Sequence, residues 1–561
     1  MMLRTIASSR EYQSKHPLQV IAERNWKDET QPSRLLTLEF LTTWLAERFE
    51  LEYYRIDPLK IDVKSVTDIM SYAYAARFSV LPVKVDSQTI TVATCEPNIT
   101  EWEAELSNIH HKKFIRVVSN PDDIQRYLLE FYSLSKSVLG ASNENDQSKS
   151  NIQNLEQLME MGRAGKLDAN DQHVVNIVDW LLQYAYDQRA SDIHLEPRRD
   201  SSKVRFRIDG VLHEVYQLPT TVLAAVTSRI KILGRMDVAE KRRPQDGRVK
   251  TRTADGLEVE LRLSTMPTAF GEKLVMRIFD PEVLVKNFRE LGLSASDEAS
   301  WDSMIAQPNG IILVTGPTGS GKTTTLYSTL KQLAKPEVNV CTIEDPIELI
   351  EPAFNQMQVQ KNIDVDFAGG VKTLLRQDPD IIMIGEIRDK ETADMAIQAA
   401  LTGHLVLSTL HTNDAPSAIT RLMDIGVPPY LINSSLIGVM AQRLVRTLCP
   451  HCKEAMDISD EQWGELVKPW KPTKPKKVYK AVGCLECRNT GYLGRMGLYE
   501  MFTYSPQLKK LMNDGGGVDA LRQQAVKENM RVLRLSGAQK VGQGLTTVEE
   551  VLRVAPPPIG V

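Results

Sequence analysis

The segment GPTGSGKTTT at residues 316–325 constrains the fold of this chain more than any other part of its sequence. Its two glycines, lysine and threonine have the spacing G-x-x-x-x-G-K-T, which forms a loop that binds nucleotide phosphates. The preceding IILVT predicts a strand, and the following TTTLYSTLKQL has the spacing of a helix. This order of strand, glycine loop and helix indicates an α/β nucleotide-binding core. A glycine-rich turn with a chance lysine is the alternative, and the matching context argues against it.

The loop supplies the predicted ligands for ATP and Mg²⁺. Gly316 and Gly321 allow backbone N–H groups to point at phosphate oxygens, and the helix that begins near Lys322 adds its positive end. Lys322 can reach the β- and γ-phosphates, and the Thr323 hydroxyl can ligate Mg²⁺. The predicted ATP-binding residues are Gly316, Pro317, Thr318, Gly319, Ser320, Gly321, Lys322, Thr323 and Thr324.

Two acidic residues at strand ends are candidates for activating the attacking water. DIIMIGEIRD ends one apolar strand at Glu386, and TIEDPIE ends another at Glu344. Either carboxylate can polarise water in line with the γ-phosphate or hold Mg²⁺ through its shell. Their spacing does not rank them, and we predict Glu386 as the base with Glu344 as the alternative. His411 in TGHLVLSTLHTND has a different predicted role. It follows another apolar strand and is predicted to sense the γ-phosphate, although a purely structural histidine is the other interpretation.

Together, GPTGSGKTTT, TIEDPIE, IIMIGEIRD and TGHLVLSTLHTND resemble the Walker A, Asp box, Walker B and His box of the secretion ATPase superfamily. The chain is most similar to the type II secretion and type IV pilus assembly ATPases of that superfamily. The resemblance implies a cytosolic homo-hexamer with a RecA-like core, which drives assembly of a pilus or pseudopilus from inner-membrane platform proteins. GYLGRMGLYE and GLTTVEEVLRV resemble the secretion branch slightly more. A type II secretion motor is therefore the first hypothesis, and a type IV pilus extension motor is its rival.

The same resemblance assigns two arginines to catalysis. The family's second domain, matched here by ASDIHLEP, RFRIDG and RRPQDGR, brings two arginines to the nucleotide phosphates, and they correspond to Arg262 and Arg277. A guanidinium at the γ-phosphate would stabilise the charge that develops in phosphoryl transfer. A surface salt bridge is the alternative for each arginine alone.

Two C-x-x-C pairs predict a structural zinc site. Cys449 and Cys452 form the first pair, and Cys484 and Cys487 form the second. Four thiolates can close a tetrahedral shell around Zn²⁺ and leave no position for a substrate. A redox pair is the alternative, which a reducing cytosol disfavours. The resemblance agrees, because many assembly ATPases carry a tetracysteine insert.

Composition and charge narrow the remaining functions. The formal net charge of −4 and the lack of basic stripes with interleaved aromatics argue against a nucleic-acid translocase. The presence of Glu386, Arg262 and Arg277 argues against a scaffold that binds ATP without hydrolysis. No apolar run is long enough to cross a bilayer, so we expect a cytoplasmic protein. The segment KPWKPTKPKK at 468–477, with five lysines, could contact anionic lipid, although such segments are usually solvated loops.

Residues 36–135 resemble the family's docking domain for a membrane partner, mainly through LAERFELEYYRIDP and ARFSVLPVKV. Some relatives bind a cyclic dinucleotide there through glycine- and leucine-containing repeats, which EYQSKHPLQVIAERNWKDETQ lacks, so we predict no such binding. The overall prediction is an α/β protein with a RecA-like P-loop core, a preceding small α+β domain, an N-terminal α+β docking domain and a zinc-bearing, mostly helical C-terminal region. The predicted segments are 1–135 (docking), 136–170 (linker), 171–283 (arginine-supplying), 284–440 (ATPase core), 441–495 (zinc subdomain) and 496–561 (helical subdomain).

Overall fold

The structure, a computed structural model, describes residues 15–24, 26, 35–143, 169–199, 201–252, 256, 258–279, 287–484, 486–488 and 490–557. The chain divides into two compact units, residues 1–278 and 279–561.

The first unit contains two sheets with helices packed against them. One sheet has four strands in the order β1-β4-β3-β2, and β2 and β3 form an antiparallel hairpin. The other has six strands in the order β7-β6-β5-β10-β9-β8. The strands are β1 Glu52–Tyr53, β2 Val80–Val85, β3 Thr89–Thr94, β4 Lys113–Val118, β5 Asp192–Glu196, β6 Ser202–Ile208, β7 Val211–Leu218, β8 Gln245–Arg252, β9 Glu258–Thr268 and β10 Gly271–Phe279. The helices are α1 Pro17–Ala22, α2 Leu38–Arg48, α3 Val63–Thr67, α4 Tyr72–Phe78, α5 Glu101–His110, α6 Pro121–Asn143, α7 Gln172–Asp187 and α8 Thr220–Leu233.

Alternation along the strands separates the two faces of the six-stranded sheet. Ile193 and Leu195 of β5 and Leu274 and Met276 of β10 are buried in the hydrophobic core. The residues between them in sequence therefore lie on the opposite face, which carries most of the charged side chains of these strands.

The second unit is built on a seven-stranded sheet in the order β13-β12-β14-β15-β11-β16-β19. Neighbouring strands are parallel except β16 and β19, which are antiparallel. The apolar runs IILVT, VNVCTI, IIMIG and LVLST supply β11, β12, β14 and β15, as the sequence predicted, and all four strands are buried along their length. The strands are β11 Gly310–Thr315, β12 Val340–Glu344, β13 Asn355–Gln358, β14 Ile381–Ile384, β15 Leu405–Leu410, β16 Leu436–Leu448, β17 Glu454–Met456, β18 Val478–Lys480 and β19 Tyr492–Thr503.

Helices cover both faces of this sheet. Trp301, Leu326 and Leu330 pack with Ile312 and Val314 on one face. The other face is covered by a second cluster that includes several of the later helices. The helices are α9 Phe288–Leu291, α10 Ala295–Ile305, α11 Lys322–Leu333, α12 Phe367–Leu374, α13 Lys390–Leu401, α14 Pro416–Asp424, α15 Pro429–Ser435, α16 Asp460–Val467, α17 Pro506–Asn513, α18 Val518–Lys527, α19 Leu533–Gly542 and α20 Val548–Val554.

Three segment boundaries in the structure differ in position from those drawn on the sequence. The predicted break at 440/441 falls inside β16, which pairs with β11 on one side and β19 on the other and so belongs to the main sheet. Helix α6 continues to Asn143, past the predicted start of the linker at 136, and residues 144–168 of that linker lie outside the described residues. The first unit ends at 278 rather than 283.

The last helix, α20, begins at Val548, and Thr547 is its N-cap residue. The Thr547 hydroxyl accepts a hydrogen bond from the Glu550 N–H, which caps the start of α20. The Glu550 carboxylate bonds instead with the guanidinium groups of Arg446 and Arg553, so it makes no reciprocal bond to Thr547 in the described structure.

Candidate functional site

The glycine loop connects the end of β11 to the start of α11, at the edge of the sheet where β12, β14 and β15 also end. Gly316, Gly319 and Gly321 have φ values of 152°, 77° and 87°, which other residues rarely adopt. A Cβ at Gly316 would lie 2.5 Å from the Gln442 carbonyl oxygen and 2.6 Å from Ser320 Oγ. The loop therefore needs glycine both for its backbone conformation and for its close contact with β16.

Two features of the loop fit a polyphosphate ligand. The Ser320 hydroxyl is buried and has no hydrogen-bond partner among the described residues. Lys322 Nζ donates to the carbonyl oxygens of Gly316 (2.8 Å) and Pro317 (3.1 Å), so its ammonium group lies over the loop. Burial lowers the Lys322 pKa, and the nearby Glu386 carboxylate opposes that shift. A buried hydroxyl and a partly desolvated cation beside inward-curving backbone form a suitable site for phosphate oxygens.

Two residues of β16, Gln442 and Arg443, pack closely against the glycine loop and the start of α11. No sequence motif had pointed to either residue. The Thr325 hydroxyl donates to Gln442 Oε1 at 2.8 Å, and a Cβ at Gly321 would lie 2.8 Å from Gln442 Nε2. The guanidinium group of Arg443 is 3.1 Å from the position of a Cβ on Gly316, and burial lowers its pKa. Both residues lie more than a hundred positions from the loop in sequence, so no local pattern could have connected them with it.

Glu386 and His411 lie together next to the loop. His411 Nε2 is 3.4 Å from Glu386 Oε2, and the Arg388 guanidinium pairs with the other carboxylate oxygen. Partial burial is the main cause of the lowered His411 pKa, and the Lys322 ammonium lowers it further. This lowered pKa favours the neutral form of the His411 imidazole. The structure thus brings together Lys322, Glu386 and His411, three of the candidates predicted from separate motifs.

Glu344 occupies a different environment. It is 4 % exposed and accepts hydrogen bonds from the Tyr327 hydroxyl (2.7 Å), the Thr342 hydroxyl (2.7 Å) and the Gln356 amide (3.3 Å). Burial raises the pKa of this carboxyl group. Because both oxygens already accept hydrogen bonds inside the protein, Glu344 is less available to water than Glu386.

The two predicted arginines of the first unit have different partners. Arg277 of β10 donates from Nε to Asp192 Oδ1 at 2.9 Å, directly across the strand pair. Asp192 also lies opposite Arg207 of β6, 3.7 Å from its guanidinium. Arg262 of β9 lies opposite Arg248 and has no ion-pair or hydrogen-bond partner for its side chain among the described residues. Like charges in opposite positions are unfavourable, and Arg248 is compensated by an ion pair with Glu260 at 3.4 Å.

The four cysteines converge as predicted. Their sulfur atoms lie within 4.8 Å of one another, with Sγ–Sγ distances of 3.7 Å for Cys449–Cys484 and Cys452–Cys487 and 3.8 Å for Cys484–Cys487. A tetrahedral shell with Zn–S bonds of about 2.3 Å has edges of about 3.8 Å, so the spacing fits zinc and is too long for a disulfide. Burial opposes ionisation of Cys487, but the backbone N–H groups of Cys484 and Gly491 lower its pKa to about 7.

The family model described as type II/IV secretion system protein matches residues 168–553. The chain belongs to this secretion ATPase family. The protein is thus a P-loop ATPase, as the sequence predicted. A second model, the MshEN domain, matches residues 49–138 of the ATPase.

Curated relatives of this secretion ATPase fall into two functional groups. The type IV pilus assembly ATPase TfpB of Acinetobacter baylyi is 53% identical over 557 residues, covering 99% of this chain and 95% of TfpB. The type IV pilus assembly ATPase PilB of Myxococcus xanthus is 40% identical, covering 91% of this chain and 90% of PilB. The type II secretion system ATPase E of Vibrio cholerae is 41% identical, covering 81% of this chain and 85% of that protein.

A solved structure supports the fold of the ATPase. The Legionella pneumophila ATPase DotB aligns with a TM-score of 0.51 at 20% identity, covering 67% of this chain and 94% of DotB. Among the residues that the structure describes, no helix is both long and apolar enough to span a bilayer.

Proposed function

We propose that this ATPase is the cytoplasmic motor that drives type IV pilus assembly. The supporting observation is that relatives named as pilus assembly ATPases match it over 99% and 91% of its length, including the N-terminal region. The two short C-terminal segments that favoured type II secretion are weaker support than a match over the whole chain. The order of preference therefore reverses, and pilus assembly replaces type II secretion as the first hypothesis.

The second candidate is a motor for type II secretion. It is favoured by the 41% identity with the Vibrio cholerae secretion ATPase, which extends over 454 residues. Both candidates use the same chemistry and differ in the filament that they assemble.

Deleting the gene in its own organism separates the two candidates. The strain is complemented with wild-type protein or with Lys322→Ala, and surface pili and secreted enzymes are measured in the same cultures. Loss of pili with normal secretion supports pilus assembly. Loss of secretion with normal piliation selects the second candidate, and no defect in either process contradicts both.

The site geometry supports a mechanism of hydrolysis in which each residue has a separate task. Lys322 binds the phosphates, Glu386 accepts a proton from the attacking water, and His411 detects the γ-phosphate. Thr323 would ligate Mg²⁺, which supplies positive charge against the phosphates when bound. Arg262 and Arg277 would stabilise charge that develops at the γ-phosphate.

We propose a homo-hexamer, as the resemblance implies, with the N-terminal region docked on inner-membrane platform proteins. Cyclic dinucleotide binding is still not expected, and the segment on which that expectation rests, residues 11–31, lies partly outside the described residues. Saturable binding of cyclic di-GMP to the full chain would contradict it. Binding to nucleic acid is also not expected.

We propose that the four cysteines hold Zn²⁺ and that the ion stabilises the segment between β16 and β19. Replacing Cys484 with serine should reduce bound zinc from about one per chain to a small fraction, because one of four ligands is lost. Zinc is measured by elemental analysis, and thermal unfolding should occur at a lower temperature. The matched control is Cys95→Ser, which changes a buried cysteine outside the cluster and should retain the metal. Equal zinc content in both variants would contradict the proposal.

We also propose that the lysine segment, residues 468–477, contacts anionic lipid. Lys474 pairs with Asp460 and donates to the Ile458 carbonyl oxygen, so this segment is anchored to the start of α16. Changing its five lysines to alanine should abolish stimulation of ATP hydrolysis by acidic liposomes, since each lysine near the surface contributes about 1 kcal/mol. Neutral liposomes are the control. Unchanged stimulation after the five substitutions would exclude this contact.

A further inference from the structure

Five consecutive residues after β15 each bond to a different part of the second unit. This connecting segment, residues 411–415, runs from the end of β15 to the start of α14. Its contacts are His411 with Glu386, Thr412 with Thr315, Asn413 with Arg443, Asp414 with Arg522 and Ala415 with Glu500.

The first half of the connecting segment is bound to the nucleotide site. The Thr412 N–H donates to Thr315 Oγ1 at 2.8 Å, and the two hydroxyl groups are 2.7 Å apart. Thr315 directly precedes the glycine loop. The Arg443 guanidinium donates to the Asn413 carbonyl oxygen at 3.0 Å and contacts its side-chain oxygen at 3.2 Å. A shift of this segment would therefore move the supports of the loop together with His411.

The second half of the connecting segment is bound to the C-terminal helices. Asp414 Oδ2 accepts from Arg522 of α18 at 3.2 Å, and its other oxygen accepts from the Ser417 N–H at 2.9 Å. One oxygen of Glu500 accepts from the Ala415 N–H at 2.9 Å, and the other accepts from the Leu533 N–H at 3.1 Å. Glu500 thus joins the first turns of α14 and α19 through its two carboxyl oxygens, and burial raises the pKa of this group to about 7.

The residues that make these distant contacts are buried. Glu500 is 3% exposed and Arg522 is 6% exposed, and neither touches the glycine loop in the contacts described above. Removing one partner of a buried hydrogen bond leaves the other partner unsatisfied, which costs free energy and so favours the observed geometry. The connecting segment that contains His411 is thus hydrogen-bonded to residues that are far from the loop in sequence.

We propose that Glu500 and Arg522 are positioning residues for ATP hydrolysis, which act by holding the connecting segment and its His411 against the nucleotide site. The proposal rests on the function of His411 proposed above. These contacts couple movement of α18 and α19 to the state of the nucleotide site. The C-terminal helices would therefore influence the rate of ATP hydrolysis as well as pack against the sheet.

Glu500→Gln in the full-length protein tests this coupling, because glutamine has one acceptor oxygen where the two N–H groups need two. We expect kcat for ATP to fall about tenfold or more while KM changes less than about twofold, since positioning affects the chemical step more than ground-state binding. The matched control is Glu550→Gln, which removes an equally buried carboxylate that bonds Arg446 and not the connecting segment. It should lower thermal stability similarly and retain kcat.

Arg522 provides an independent test if the first variant does not fold. Arg522→Gln should lower kcat in the same way, and Arg522→Lys should restore part of it because lysine can still pair with Asp414. The proposal is overturned if either loss-of-contact variant retains wild-type kcat, or if the Glu550 control loses kcat equally. Wild-type protein that releases no phosphate would instead contradict the proposed function itself.

Discussion

Replacing Lys322 with alanine should abolish ATP hydrolysis. The Lys322 ammonium is half-buried and donates hydrogen bonds to the carbonyl oxygens of Gly316 and Pro317 in the glycine loop. Loss of this charge removes stabilisation from the phosphates in both the bound and the reacting state. We expect a decrease in kcat/KM on the order of a thousandfold or more, measured as phosphate release by purified protein with Mg²⁺.

The control for this experiment is Lys331→Ala in the same helix. Lys331 is exposed and forms a surface ion pair with Glu351 at 3.4 Å, which contributes little to stability. Replacing it should therefore leave turnover within about twofold of wild type. A Lys322→Ala protein that hydrolyses ATP as fast as this control would contradict the assignment of the glycine loop as the ATP site.

Glu386→Gln should separate ATP binding from ATP hydrolysis. Glutamine keeps the shape of the side chain but cannot accept the proton of the attacking water, so kcat should fall by about a hundredfold or more. Binding of ATP should persist, and the nucleotide recovered from the protein after incubation should be ATP rather than ADP. Equilibrium binding of a fluorescent ATP analogue and single-turnover hydrolysis measure the two effects.

The matched comparison is Glu344→Gln, the other acid that the sequence offered as a base. Its carboxylate accepts three internal hydrogen bonds, so substitution should cost stability of about 1–3 kcal/mol and reduce turnover less than the Glu386 change. If Glu386→Gln retains nearly full turnover and Glu344→Gln does not, the role of base passes to Glu344.

Local sequence was sufficient to predict those parts of the structure whose residue requirements lie within a short segment. The four apolar runs that form β11, β12, β14 and β15 are each buried on both faces, so their composition alone predicts parallel strands. The glycine loop needs special backbone conformations at Gly319 and Gly321, which restrict the residue type. The two C-x-x-C pairs likewise predicted the convergence of the four sulfur atoms, because the ligand type and spacing are specific to a metal.

Contacts between distant segments required the folded protein. The structural support for Glu386 over Glu344 as the base comes from their surroundings. Tyr327 and Gln356 donate hydrogen bonds to the Glu344 carboxylate, whereas the Glu386 carboxylate lies beside His411. Strand β16 crosses a boundary drawn from composition because pairing with β11 and β19, and not its own residues, places it in the sheet. The sequence motifs identified which side chains can bind phosphate or activate water. Burial and hydrogen bonding depend on residues that are close in space but distant in sequence, so only the tertiary structure showed which of these side chains lie together.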